Sequence, residues 1–510
     1  AARQLLRSPG TTLVSVLTLA LGIGANTAVF SVADHLLFRT LPVPRPEQLA
    51  VLAVEGRDGR PGFSFNYPFF EELREFNQVF SHLVAQEDQS VALGTSPSAP
   101  AERVRAAMVS GNYFDMLQVP PALGRTFSNQ EGRRPGDAAV AVLSHGLWMR
   151  RFAGDVSVVG HPTSINGHPF TVIGVAPPDF GGTEVGVRPD LYLPITAHRL
   201  LRSGAGEMAE DRLQSRFITW HEVTGRLKPG ISHGEAQESL RLLARRLAEA
   251  TPENTPTNLL VLPGARGLAQ GAREAALPLL LLTGIVGLVL LIACANVAGI
   301  QLARSTARRR ELALRVSLGA TPARLARLLV TESLLLSCLG AAASLPVAMA
   351  VSRVITSFRP DALSAQDLAP LGELDLRVLA FATLAALLAG LVSGLVPAWK
   401  ASRPDPVEAL KNAAPGIAGP EGRWNAGRLL VAGQVALATV CVVCAGLCLR
   451  SLSRLIAVRP GFDPDRVLAA NLDLSFASYT AAQAAQFQQA LLERVRVLPG
   501  VEAAGLASST

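Results

Sequence analysis

Residues 275–352 decide what this chain can fold into, because two long apolar runs stand on either side of a short, arginine-dense connector. No residue in 275–303 is charged, and the run AALPLLLLTGIVGLVLLIACANVAGIQLA is long enough to cross a bilayer as one helix. Arg304, Arg308, Arg309, Arg310, Arg315, Arg324 and Arg327 follow, with Glu311 as the acid among them. Residues 328–352 are apolar again, and Glu332 is their one charge. Basic residues collect in the cytoplasmic loops of membrane proteins, so this charge asymmetry places the connector inside the cell.

Of the 510 residues 49% are hydrophobic and 17% charged, and the apolar ones concentrate in five runs: 10–33, 275–303, 328–352, 378–399 and 429–449. Each has roughly the 20 residues that a spanning helix needs. The net charge of +7 is mostly local to the 301–327 segment, so nucleic-acid binding is a poor reading of it. Cys294, Cys338, Cys441, Cys444 and Cys448 all fall in apolar runs, where cysteine acts as a small packing residue. Cys441, Cys444 and Cys448 share a helical face but lack the polar neighbours that a metal or redox site requires. The first run follows Arg3 and Arg7 as a signal peptide would. Its length and the weak cleavage match at Phe30-Ser-Val-Ala-Asp34 favour a retained helix. A start without Met and an end in Ser508-Ser509-Thr510 read as part of a longer chain.

The charges give a consistent path. Residues 1–9 lie in the cytoplasm and the helix at 10–33 leads out into a polar domain at 34–274. Helix 275–303 returns to the connector at 304–327, and helix 328–352 goes out to a short loop at 353–377. Helix 378–399 comes back to a basic linker at 400–428, and helix 429–449 leaves again. The 450–510 stretch resembles the opening of a second outer domain. The expected fold is therefore an α-helical membrane protein of about five spanning helices. A large mixed α/β extracytoplasmic domain, read as two subdomains, is inserted between helices 1 and 2. Within it, Phe69, Leu73, Phe76 and Phe80 have helical spacing. Asn166-Gly167 between two apolar runs predicts a tight hairpin, and Ser232 with Glu235 predicts a capped helix.

No G-x-x-x-x-G-K-[ST] loop, second zinc-protease histidine or nucleophile elbow is present, so neither catalysis nor a cofactor is expected of these residues. Glu332 reads as a structural acid able to reach the interface, Arg324 or Arg327. Asn26 and Asn296 read as interhelical hydrogen-bonders. The connector can form a helix over 306–318, with Gly319 ending it and Thr321-Pro322 starting the next. Arg308, Glu311 and Arg315 share one stripe of that helix. Anionic lipid headgroups or a cytoplasmic protein would suit this basic element equally.

The segment Asn296-Val-Ala-Gly-Ile-Gln-Leu-Ala-Arg-Ser-Thr-Ala-Arg-Arg-Arg-Glu-Leu-Ala-Leu-Arg-Val-Ser-Leu-Gly-Ala-Thr321 resembles the signature of FtsX/MacB-type ABC transporter permeases. Leu19-Ala-Leu-Gly-Ile-Gly-Ala-Asn-Thr-Ala-Val-Phe-Ser-Val is similar to that family's first helix. Val109-Ser-Gly-Asn-Tyr-Phe, Gly124-Arg-Thr-Phe, Gly146-Leu-Trp and Val172-Ile-Gly-Val-Ala-Pro resemble its MacB-type periplasmic core domain. Pro397-Ala-Trp-Lys-Ala-Ser-Arg-Pro-Asp-Pro-Val-Glu-Ala-Leu-Lys is similar to the end of its fourth helix. A fifth helix departs from the four-helix MacB pattern and resembles the duplicated permeases abundant in acidobacteria. The resemblance implies a multi-pass inner-membrane permease whose work is driven by a separate cytoplasmic ABC ATPase. It implies export or mechanical work on a periplasmic adaptor or envelope protein, with membrane lipid as the other partner. It implies that Arg308, Arg309, Arg310, Glu311 and Arg315 contact the ATPase, with Gly319 shaping the turn. The alternative it leaves is an FtsX-like signalling scaffold that regulates a cell-envelope enzyme.

Overall fold

Pro9 opens the first helix, α1 (Pro9–Ala33), where its missing N–H costs nothing because the first turn has no intrahelical partner for it. The computed structural model describes residues 8–56, 58–94, 101–128, 131, 139–184, 188–201, 212–267, 270–307, 321–357, 376–401, 426–456, 467–468, 470 and 481–506.

After α1 the polar stretch forms β1 (Leu49–Glu55), β2 (Pro61–Gly62), α2 (Tyr67–Phe76), β3 (Phe80–Gly94), β4 (Glu102–Val109), α3 (Tyr113–Leu117) and β5 (Leu123–Gly124). It continues with β6 (Val140–Leu143), α4 (His145–Phe152), β7 (Pro162–Ile165), β8 (His168–Val175), β9 (Leu191–Pro194), β10 (Glu222–Leu227), α5 (His233–Ala250) and β11 (Leu259–Pro263). The strands join in the order β11-β1-β10-β3-β4-β9-β6-β8-β5, with β2 beside β1 and β7 bridging β3 and β8. The β4–β9 and β6–β8 pairs are parallel and the rest antiparallel.

β3 organises this domain. Its first half pairs with β10 (Leu83↔Gly225) and its second half with β4 (Val91↔Val104). Its far end reaches β7 (Leu93↔Ile165), so β3, β4, β9, β6, β8 and β7 close on themselves as a ring. The ring and the strands β10, β1 and β11 beside it are joined through β3, so the two subdomains expected from the sequence are not separate bodies here. Alternate β3 residues serve two cores. Leu83, Ala85, Val91 and Leu93 face one that α2 and α5 cover with Phe69, Phe70, Leu73, Ala236 and Leu240. Val84 faces the other, built on Tyr113, Phe114, Phe127, Phe180 and Tyr192.

Local signals behave as their chemistry demands. Asn166 and Gly167 take φ of 47° and 79° and form the two-residue turn of the β7–β8 hairpin. Ser232 and Glu235 form both hydrogen bonds of a capping box on α5. The spacing of Phe76 and Phe80 overextends α2. Asn77 ends the helix at Phe76, its own Oδ1 accepts from the Phe80 N–H, and Phe80 begins β3. The Val109-Ser-Gly-Asn-Tyr-Phe motif is a clamp: Ser110 Oγ accepts from Ala85 N–H at 2.7 Å and Asn112 Nδ2 donates to the Leu83 carbonyl at 3.0 Å. Gly111 is needed there because a Cβ would lie 1.9 Å from the Glu131 carbonyl oxygen. A buried arginine stitches the other end of that sheet face. Arg226 donates to the carbonyls of Met116 at 2.6 Å and Arg45 at 3.1 Å.

The membrane unit consists of α1, α6 (Gln270–Ala307), α7 (Pro322–Ser357), α8 (Leu376–Ala401) and α9 (Ala426–Ile456). All five contain segments long and apolar enough to cross a membrane. Leu19 and Ile23 of α1 sit fully buried among Cys294 and Val297 of α6, Leu336 of α7 and Ala385, Ala386 and Ala389 of α8. In lipid there is no hydrophobic gain from bringing helices together, so close packing of small residues does this instead. On α8, a Cβ at Gly390 or Gly394 would come within 2.9 Å of Ser337 Oγ or 2.8 Å of Ser333 Oγ on α7. Beyond residue 456, α10 (Ala481–Arg496) is the described helix of the stretch read as a second outer domain.

Candidate functional site at the helix ends flanking the connector

The residues expected to dock an ATPase, Arg308, Arg309, Arg310, Glu311, Arg315 and Gly319, lie outside the described residues. The helix ends that carry them are described. Pro322 begins α7, and the Thr321 carbonyl accepts from the N–H groups of Arg324 at 2.9 Å and Leu325 at 3.3 Å. The start of this helix is thus fixed as Thr321-Pro322 chemistry requires.

On the other side, Arg304 lies in the last turn of α6, where a cation complements the helix dipole. Its Nη2 donates to Thr11 Oγ1, to Thr12 Oγ1 at 3.2 Å and to the Ser8 carbonyl at 3.5 Å. The root of the connector is therefore tied to the first turn of α1. One turn earlier, Gln301 Nε2 donates to Ser333 Oγ of α7 at 3.0 Å, and both side chains are buried. Glu332, beside Ser333, is also buried at 4% exposure. A single turn of α6 is in this way bonded to α1 and to α7. Polar bonds of this kind cost little to keep in lipid and more to leave unmade, since no water replaces them.

α1 is held farther along as well. Asn26 Nδ2 donates to its own helix at the Gly22 carbonyl and across to the Val286 carbonyl of α6 at 2.7 Å. At the far end Phe30 stacks on Phe381 with centroids 4.0 Å apart, and Asp34 pairs with Arg377 of α8 at 3.5 Å. Asn26 is thus the interhelical hydrogen-bonder that its position suggests. Among the described residues Asn296 makes no such bond: Val297 takes the buried place against Leu19, and Asn296, rotated about 100° from it, is exposed. Cys294 packs in the bundle core as expected, whereas Cys338 and Cys448 are exposed. Among the described residues no group of three histidines, cysteines or acids is placed to hold a metal ion.

In the sequence Arg304 is one charge among seven and nothing local marks it as a tether, nor Gln301 as its neighbour in a hydrogen-bonded turn. The signal for both lay in their place on α6, one turn apart, but their partners on α1 and α7 are set by helix packing.

Residues 12–243 match the family model described as MacB-like periplasmic core domain, and residues 283–406 match that of the FtsX-like permease C-terminal. The chain belongs to the MacB/FtsX-type ABC transporter permeases. It is similar to a macrolide export ATP-binding/permease protein MacB of Azoarcus sp., at 29% identity over 67% of this chain and 47% of that protein. It is also similar to a probable syringafactin export ATP-binding/permease protein of Pseudomonas syringae pv. tomato, at 27% identity over 59% of this chain and 41% of that one. The permease thus spans less than half the length of these curated relatives. The solved periplasmic region of MacB from Actinobacillus actinomycetemcomitans aligns with 45% of this chain and 92% of itself, at 14% identity and a TM-score of 0.32. As a multi-pass member of this family, the chain is an inner-membrane protein.

Proposed function

We propose that this permease couples ATP hydrolysis by a separate cytoplasmic ATPase to export or to mechanical work on a partner at its polar domain. The observation that carries the reading is the Arg304 tether. An ATPase that pulls on residues 308–319 moves the end of α6, and the same arginine grips the start of α1. α1 leads in sequence directly into the polar domain, so displacement at the connector has a covalent route to the far side of the membrane. The relatives carry ATP binding and permease function under one name, which supports a motor working on these helices. In this reading the N-terminus and the connector are cytoplasmic, the polar domain is periplasmic, and anionic lipid surrounds the basic helix ends.

The test is a double charge reversal, Arg309→Glu with Arg310→Glu, in the chain purified together with the ATPase that accompanies it from native membranes. ATPase stimulation should fall to the level of the motor alone while the five helices stay inserted. Stimulation equal to wild type in a properly inserted variant would exclude the connector as the docking element. Arg304→Leu should leave the ATPase bound and lower the stimulated rate, because docking is intact and the grip on α1 is lost.

A further inference from the structure

Helices α1, α7 and α8 are locked to one another at glycines. A Cβ at Gly340 of α7 would stand 2.7 Å from Leu19 Cβ of α1, and one at Gly24 of α1 would stand 2.8 Å from Val347 Cγ1 of α7. Gly390 and Gly394 seat α8 against Ser337 and Ser333 in the same way. α6 is held more loosely. Less than a fifth of its spanning stretch is buried, against more than half of that of α1. A Cβ at its Gly284, Gly287 or Gly299 would meet no atom within 4 Å. Apolar contacts are non-directional, so its height along the bundle is fixed by polar bonds. These are Asn26 to the Val286 carbonyl, Gln301 to Ser333 Oγ, and Arg304 to Thr11 and Thr12.

Two of these bonds have another hydroxyl one turn away, in the same direction. Ser337 lies four residues beyond Ser333 on the same stripe of α7, about 6 Å farther from the connector. It is 1% exposed, and its Oγ has no hydrogen-bond partner among the described residues. A serine inside a helix ordinarily bonds back to its own backbone, as Ser344 does to Ala341 at 2.7 Å and Ser393 to Gly390 at 3.3 Å. Ser337 is left unsatisfied because Val297, one turn before Gln301 on the antiparallel α6, packs with neighbouring Leu336 and offers no polar atom. On α1, Ser15 lies four residues beyond Thr11 and is fully buried.

We propose that α6 has two registers against the other helices, one turn apart, and that Gln301 marks them by bonding Ser333 in the first and Ser337 in the second. In the second register Gln301 stands where Val297 was, and Leu290 where Val286 was, so apolar side chains replace apolar ones on the rest of the face. Gly22 of α1 keeps that track clear, since it is the residue that faces Leu290 and Ala293. Asn26 needs no dedicated partner, because a helix presents a backbone carbonyl at every turn. Arg304 is long enough to keep Thr11 or to take Ser15, so the grip on α1 persists in both registers. Gln301 and Ser337 are thus positioning residues for a helix translation. Within the function proposed above that translation is the stroke, but it is a property of the bundle and is measured without any ATPase, so the two proposals fail separately.

The measurement is the distance between nitroxide labels on Leu281→Cys and Leu335→Cys, both exposed, in the full chain with its five native cysteines replaced by alanine. Leu281 lies toward the end of α6 away from the connector and Leu335 toward the connector end of α7, so the second register lengthens the distance by about 6 Å. Double electron–electron resonance in lipid nanodiscs should show the shorter distance as the main population. Ser333→Ala removes the first acceptor and should raise the share of the longer distance about three- to tenfold, the effect of one interhelical hydrogen bond in lipid. Adding Ser337→Ala to it should return the share to that of the starting protein. An unchanged distance distribution in Ser333→Ala would overturn the proposal. So would a longer distance equally populated in the double variant, because Ser337 would then play no part in the second register.

Discussion

Gly174→Val should cost the polar domain about 4 kcal/mol or more, a large share of the 5–15 kcal/mol that holds a typical domain together. Gly174 on β8 pairs with Gly124 on β5, and a Cβ built there would stand 2.2 Å from the Arg125 carbonyl oxygen and 2.8 Å from that of Leu123. An ordinary carbon–oxygen approach is about 3.3 Å or more, so β5 must retreat by about an ångström. Both obstructing atoms are backbone and cannot rotate away as a side chain would. β5 is anchored in turn by the Ala122 N–H to the Val175 carbonyl at 2.8 Å and the Arg125 N–H to the Ile173 carbonyl at 2.9 Å, and its displacement breaks both. Phe127, two residues farther on, would leave the aromatic core it shares with Phe114. Gly62→Ala is the matched control, because its Cβ would meet nothing nearer than the Val54 carbonyl oxygen at 3.7 Å. Pulse proteolysis of the solubilised chain across a urea series should show the valine variant cleaved at much lower urea than the control. Equal resistance would show that the β5–β8 edge adapts without loss.

The contrast between these glycines says why part of the molecule was legible in its sequence. Spanning helices are written in composition: an uncharged run of the right length has one low-energy arrangement in a bilayer. Asn166-Gly167 and Ser232–Glu235 are likewise local, since each motif supplies its own hydrogen bonds or backbone angles. α2 shows where spacing misleads, because Asn77 ended the helix by local bonding while Phe80 still kept the helical interval. The long strand through the middle of the polar domain was not legible, because the fifteen residues of β3 carry Glu87 and Asp88 in mid-strand and break its apolar pattern. Glu87 finds its partner only in the folded chain, where it pairs with Arg212 at 3.4 Å across 125 residues of sequence. Arg304 makes the same point in the membrane unit. Its charge was visible at once, but its grip on Thr11 and Thr12 depends on α6 lying against α1.

His221→Phe should stabilise the polar domain, and the gain should grow as the solution is acidified. The imidazole is 1% exposed and neither ring nitrogen has a hydrogen-bond partner among the described residues. Its neighbours are aromatic edges and faces: Tyr67 at 5.8 Å, Phe70 at 5.6 Å and Trp220 at 5.1 Å between centroids. A phenyl ring occupies similar volume and keeps those contacts, while it removes a buried polar group whose unmade bonds cost about 1–3 kcal/mol. Burial holds the histidine down to about 3, from an ordinary value of 6.5. Between these two values the unfolded chain binds a proton that the folded chain refuses, so stability is lost as pH falls through 6.5 and continues to fall until about 3. At pH 4.5 that loss amounts to about 2.7 kcal/mol, and phenylalanine does not incur it. Urea unfolding of the two proteins at pH 7.5 and pH 4.5, compared at each pH, isolates this group, because every other ionisable side chain is common to both. A stability difference that stays constant between the two pH values would mean that the imidazole takes up its proton inside the folded domain, and hence that the aromatic cluster admits water.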